Sequence, residues 1–206
     1  MISMVAATGN PHKLEEFARI LAPLGIQVLS PQELGVELEV EETGTTFAEN
    51  AYLKAKAFFE ATGKPALADD SGLCVDALGG KPGVYSARYH GENTSYAEKM
   101  AALVAELEGV PEERRTARFT CAICCVLDKD TILQAEEHCE GIIGYQPRGT
   151  NGFGYDPILY RGERTMGELS DREKDAVSHR GKALRVFARL LETTLNTRQG
   201  QGALQP

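Results

Sequence analysis

The chain has 206 residues, 42% hydrophobic and 25% charged, which is ordinary for a globular protein and long enough to bury a sizeable core. Its 22 Lys and Arg against 30 Asp and Glu leave a net charge of −8, which disfavours a polynucleotide partner, because phosphate backbones are held by surface cations that release counterions. No apolar run approaches the roughly 20 residues that cross a bilayer, and "MISMVAAT" lacks the basic start and long apolar stretch of a secretion signal, so the expected setting is the cytoplasm with no membrane partner.

In chain order, residues 2–7 read as a buried strand, "TGNPHK" as a short loop, and residues 14–24 as a helix ended by Gly25, the opening of an α/β protein. The loop lacks the GxxxxGK spacing of a P-loop. Its strand-to-helix position still suits phosphate, through backbone N–H groups, the helix N-terminus and Lys13. A strand over residues 27–29 leads into the acidic segment "VELEVEETGTT". Thr46 and Glu49 then form a capping box for a helix that stops at Gly63.

Next, "ALADDSGL" gives a strand over residues 66–68 that delivers Asp69 and Asp70 at its C-terminal end, where α/β sheets build their sites. Two adjacent carboxylates repel. The pair reads either as a solvated Asp-Ser-Gly turn or as a site that offsets the repulsion with a cation. Glu41 and Glu42, alone a solvated charge run, sit at a similar strand edge, and carboxylates from two such edges make the hard-oxygen site that Mg²⁺ prefers.

A capped helix from Ser95 with Glu98 precedes strands over 117–127 and 132–141, joined by a turn at "DKD". Residues 118–127 are apolar on both faces and therefore central in a mixed sheet. The cysteines of "RFTCAICCVL" lie in that strand, where Cys121 and Cys124 point to opposite faces. With five cysteines in all and no second CxxC pair, they read as reduced core thiols rather than a zinc site. The glycine-rich loop "RGTNGFGYDP" follows, then a short helix capped by Ser170 with Glu173, then a long amphipathic helix beginning around "SHRG". Phe153, between two glycines, is either a core aromatic or a platform for a base. His179 and Arg180 stand at a helix start, where Arg is electrostatically misplaced; both donate hydrogen bonds and suit a keto oxygen on a base.

In this order "TGNPHK", "EETGTTFAENAYLKA", "ADDSGL", "PGVYSARY", "GFGYDP" and "SHRG" cover nearly the whole chain, and together they resemble the inosine triphosphate pyrophosphatase family. The resemblance implies an elongated mixed-sheet α/β fold with two lobes around a cleft, usually a homodimer, in one domain over residues 1–195; the polar composition of "NTRQGQGALQP" reads as a disordered tail, residues 196–206. The resemblance also implies Mg²⁺-dependent hydrolysis of a small-molecule substrate, a nonstandard purine nucleoside triphosphate (ITP, dITP or XTP), to the monophosphate and pyrophosphate. Carried over by position, Thr8, Gly9, Asn10, Pro11, His12 and Lys13 would hold the triphosphate, with Lys13 also taking up charge in catalysis. Glu41 and Asp70 would bind Mg²⁺, Asp70 would accept the proton of water, and Ser71 would touch substrate. Phe153, Gly154, Tyr155 and Asp156 would enclose base and sugar, and Lys174, His179 and Arg180 would complete the site. Asn151, where many members have glycine, and the tail after Thr194 depart from the pattern. The runner-up is a Maf-type pyrophosphatase acting on pyrimidine or modified-guanine nucleotides, against which "SHRG" argues. A nucleotide sensor without turnover is the other class, against which the pairing of Glu41 with Asp70 argues.

Overall fold

The computed structural model describes residues 2–202. Seven strands form one open mixed sheet in the order β2-β1-β3-β4-β5-β6-β7. Here β1 is Ile2–Ala6, β2 Ile26–Leu29, β3 Ala66–Val75, β4 Thr116–Asp128, β5 Thr131–Ile143, β6 Leu159–Arg161 and β7 Arg164–Thr165. Strand β1 pairs in parallel with β2 and β3, and every later pairing is antiparallel. Strand β4 is buried along almost its whole length, as its two-sided apolar sequence requires.

Five helices cover the sheet: α1 Pro11–Leu21, α2 Phe47–Thr62, α3 Tyr96–Glu106, α4 Asp171–Val177 and α5 His179–Gly202. The capping boxes at Thr46, Ser95 and Ser170 are all formed, and Gly63 ends α2 in the left-handed conformation at φ 64°. Helix α1 begins earlier than its sequence suggests. Asn10 caps it by accepting from the His12 and Lys13 amides, Pro11 fills its first turn, and residues 22–24 tighten into a 3-10 turn before Gly25.

Three apolar clusters fill the interior. One lies between the sheet and α1 with α5, around Met4, Phe17, Leu67, Ile123 and Phe187. Another lies on the opposite face under α2, around Val5, Ala51, Phe58 and Ala68. The third fills the far half of the molecule, where α3 and β6 pack on the outer reaches of β3, β4 and β5. The cysteines occupy these cores as free thiols, Cys121 and Cys125 in the first cluster and Cys124 in the second. The tail expected to be disordered from residue 196 is instead helical as far as Gly202, continuing α5; its last four residues lie outside the described residues.

The most consequential departure from the sequence reading is β3. It does not stop at residue 68 but runs through both aspartates and Ser71 to Val75, paired with β4 at all ten positions. Asp, Ser and Gly are poor strand formers in isolation, yet a central partner with ten residues to offer overrides that preference. On the other side, β1 pairs with β3 only at Val5 and Ala6. Between Ala68 and Leu73 that edge of β3 has no strand partner, and a cleft opens there; farther on, Cys74 bridges Pro82 and the Val75 amide donates to the Lys81 carbonyl at 3.0 Å.

Candidate active site

The cleft holds a cavity of about 320 Å³, lined among others by Lys13, Glu42, Lys54, Asp70, Phe153 and His179, a size within the range of small-molecule sites. Because side chains alternate along a strand, Asp69 and Asp70 point to opposite faces of the sheet. Their environments differ accordingly, which resolves why two like charges are adjacent.

Asp69 is fully buried on the α1 and α5 face. It accepts from Nε and Nη2 of Arg180 at 3.1 and 2.9 Å and pairs with the Lys13 ammonium at 2.9 Å. Burial pushes its carboxyl up, but Lys13 and Arg180 outweigh burial and hold it far below the usual carboxylate range. The network continues through a residue that sequence reading missed. Glu16, on the buried face of α1, accepts from Arg180 at 2.6 Å and from Lys174 at 2.9 Å, and Lys174 also donates to Asp156 at 2.7 Å. Lys13, Asp69, Arg180, Glu16, Lys174 and Asp156 thus alternate in sign through the molecule's interior. Three cations match three carboxylates, which is how buried charge is tolerated.

Asp70 faces α2. Its Oδ2 accepts from Asn50 at 3.0 Å, its Oδ1 accepts from the Ser71 amide at 3.0 Å, and the Lys54 ammonium lies 3.7 Å from Oδ1. Burial raises its carboxyl above the ordinary aspartate value; Lys54 opposes this and Glu42 adds to it. Asp70 is therefore a better base than a surface aspartate, and each oxygen keeps a lone pair free. Asn50 and Lys54 were not singled out from sequence. They sit four residues apart in "AENAYLKA" on one face of α2, a spacing that marks them once the direction of that face is known.

Of the two glutamates, Glu42 lines the cavity, whereas Glu41, the expected ligand, is exposed and outside the lining. Glu42 accepts from Lys54 at 2.5 Å, and Arg88 stands 3.9 Å away. A lysine ammonium thus already lies between Glu42 and Asp70, so that the donor set holds a cation and suits a small hard one. Among the described residues no three His, Cys, Asp or Glu converge as a closed cage.

The "TGNPHK" loop is more self-contained than expected. The amides of Asn10, His12 and Lys13 are directed to Thr8 Oγ1 and Asn10 Oδ1, so they do not face an incoming phosphate. Thr8, Gly9, Asn10 and Lys13 line the cavity; Pro11 and His12 do not. His12 instead stacks on Phe153, with centroids 5.2 Å apart and ring planes 12° apart. Phe153 also lines the cavity beside Gly154, Tyr155 and Asp156, with the Lys174 ammonium 4.7 Å from its ring centroid. The flanking Gly152 has φ 76°, and a Cβ there would stand 2.1 Å from the Asp156 carboxylate, so glycine is required. Asn151 ties this loop to α4, donating to the Leu169 carbonyl at 2.6 Å and to Asp171 at 3.0 Å.

His179 and Arg180 line the same cavity but do not act as equal donors. Arg180 spends four hydrogen bonds on Asp69, Glu16 and Ser71, which leaves one N–H of Nη1. Its place at a helix start, electrostatically odd in sequence, is explained by these buried carboxylates. His179 is buried against Phe119, with ring planes 25° apart. Burial, reinforced by Arg180 and Lys174, holds it well below the usual histidine value and so neutral, and its Nδ1 has no protein partner among the described residues.

The Ham1 family model matches residues 4–190. A dITP/XTP pyrophosphatase of Bacillus subtilis (strain 168) is 47% identical over 194 residues, 93% of this chain and 98% of that protein. One from Geobacter sulfurreducens is 53% identical over 191 residues, 91% of this chain and 95% of the relative. Among solved structures, a HAM1 protein from Coxiella burnetii superposes with a TM-score of 0.85 at 42% identity, covering 94% of this chain and 100% of its own.

Proposed function

The chain belongs to the Ham1 family, and from that membership we propose that it is a nucleoside triphosphate pyrophosphatase that hydrolyses dITP, ITP and XTP to the monophosphate and pyrophosphate in the presence of Mg²⁺. The observation that carries this reading is Asp70, a buried carboxylate raised above its ordinary value on a cavity wall that also carries Lys13, Lys54 and Lys174. A carboxylate poised as a base, facing cations that suit phosphates, is what phosphoanhydride hydrolysis needs.

Asp70 and Glu42 are the ligands of this proposal. Bound there, Mg²⁺ would neutralise phosphate charge and polarise the phosphoryl group under attack. Asp70 takes the proton of the attacking water, with Asn50 and the Ser71 amide fixing its carboxylate plane. Lys13, only 15% exposed and held by Asp69, presents a fixed positive charge at the cavity wall, so little reorganisation is needed when a phosphate arrives. At the other end, Phe153 supports the base. Its edge is met by His179, whose neutral ring with a free Nδ1 takes the base-reading role that the sequence assigned jointly to Arg180. Arg180 positions Asp69, Ser71 and Glu16 instead. A homodimer in the cytoplasm is the assembly and location that accompany this reading.

Incubation of the protein with ITP, XTP, dITP, GTP and ATP, with and without Mg²⁺, tests it by product analysis. Monophosphate and pyrophosphate from the first three only, and only with metal, is expected. Equal turnover of ATP, or equal turnover in EDTA, overturns it.

A further inference from the structure

Lys54 lines the cleft and opposes the rise of the Asp70 carboxyl, but its position between two carboxylates has no role so far beyond its charge. It rises from the middle of α2, one turn after Asn50, and its side chain is only 13% exposed. The ammonium reaches Glu42 Oε1 at 2.5 Å and Asp70 Oδ1 at 3.7 Å, bridging the two carboxylates that the proposed function gives to Mg²⁺. Those carboxylates come from separate segments, the loop before α2 and the middle of β3, and Asn50 ties the same two segments by donating to Asp70 at 3.0 Å and accepting from the Gly44 amide at 2.8 Å. Beyond the effect of burial, Glu42 pushes the Asp70 carboxyl up, so the two carboxylates repel without a cation between them.

We propose that Lys54 is an internal stand-in for the divalent ion: it holds Glu42 and Asp70 together while the site is free of metal, and is displaced toward the cavity when metal enters, where its charge meets the nucleotide's phosphates. The inference rests on the metal-dependent reading above but concerns binding rather than turnover. Metal and lysine compete for the same oxygens. Metal entering alone must separate an ion pair and leave an ammonium beside a dication, whereas metal entering with a polyphosphate supplies that ammonium with a new partner. Metal and nucleotide therefore bind cooperatively, and the free protein binds metal weakly. A buried lysine, unlike a bound water, cannot leave the site, so it also keeps the carboxylates from closing on the wrong partner. Arg88, 3.9 Å from Glu42 Oε2, stays with the glutamate after the lysine moves.

The test is Mn²⁺ affinity of the nucleotide-free protein at pH 8, read by electron paramagnetic resonance, for the parent, Lys54→Met and Lys54→Arg. Removing the competing charge should tighten Mn²⁺ binding by about tenfold or more in Lys54→Met, while Lys54→Arg stays as weak as the parent. In parallel, Mn²⁺ should raise the melting temperature of Lys54→Met more than that of the parent. Unchanged or weaker Mn²⁺ binding by folded Lys54→Met overturns the proposal. Should that variant fold only with metal, the parent itself decides: acylation of Lys54, read by mass spectrometry, should be greater with saturating Mg²⁺ alone than in EDTA, and should fall again when a nonhydrolysable triphosphate is added with the metal. Labelling that is unchanged by metal overturns the displacement. Failure of the parent to hydrolyse ITP would refute the activity without altering either readout.

Discussion

Asp69 and Asp70 are neighbours with opposite duties, and the alternation of a strand is what separates them. Asp69 neutralises Lys13 and Arg180 in the interior, while Asp70, destabilised as an anion by burial, faces Asn50 and the cleft. Their Asn variants should therefore fail differently. Asp69→Asn leaves two cations short of a partner and should cost about 3–5 kcal/mol of stability, read by urea denaturation. Asp70→Asn relieves a desolvated charge and should keep the parent's melting temperature, while kcat falls on the order of a hundredfold to ten-thousandfold as the base is lost. Equal loss of stability in the two variants would contradict the division of labour. From sequence the pair drew attention and the family resemblance gave a role to Asp70 alone; the role of Asp69 was not legible, because it depends on which face of β3 its side chain takes. Glu16 left no local trace either. Only the fold brings it to Arg180 and Lys174, more than 150 residues away in the chain.

At the scale of elements, local chemistry read well and long-range pairing did not. Three capping boxes and the left-handed Gly63 were visible because cap geometry is set by residues within one turn. The continuation of β3 past Ala68, and the two-residue β7, were hidden because β4 and β6 impose them from elsewhere in the chain. Gly181 shows how an element junction constrains the site. Helices α4 and α5 meet so closely that a Cβ at position 181 would lie 2.0 Å from the Asp175 carbonyl oxygen, a backbone atom that cannot step aside. Gly181→Ala should cost about 1–3 kcal/mol and, by shifting the start of α5, disturb His179 and Arg180 as well. Gly9→Ala is the contrast: nothing lies within 4 Å of a Cβ added there, so its unfolding free energy in urea should match the parent's to within about 0.5 kcal/mol. Similar losses in both would show that the packing at Gly181 is not what matters.

For the molecule as a whole, the buried charge network predicts a direction of pH dependence. The Asp69 and Glu16 carboxyls are both held below their ordinary values of 3.8 and 4.5. Their stabilisation is fully present above those values. As pH falls through and below them, the unfolded chain takes up protons that the native state refuses, and stability is lost progressively. Asp70 and Asp156 are raised and act in the opposite sense, so acidification from neutrality first relieves their burial. The melting temperature should accordingly hold or rise slightly toward about pH 5 and drop steeply below about pH 4; a curve that stays flat into acid would contradict the network. The site itself lies where β1 ends and β3 continues, with α1, α2 and α5 each sending charged side chains into one cleft. That convergence is what makes water attack on a bound triphosphate the central claim. Hydrolysis of ITP in ¹⁸O-water, with the products separated and weighed by mass spectrometry, tests it most directly. Attack at the α-phosphorus predicts one ¹⁸O in IMP and none in pyrophosphate; IDP with labelled orthophosphate, or label in the pyrophosphate, would contradict it.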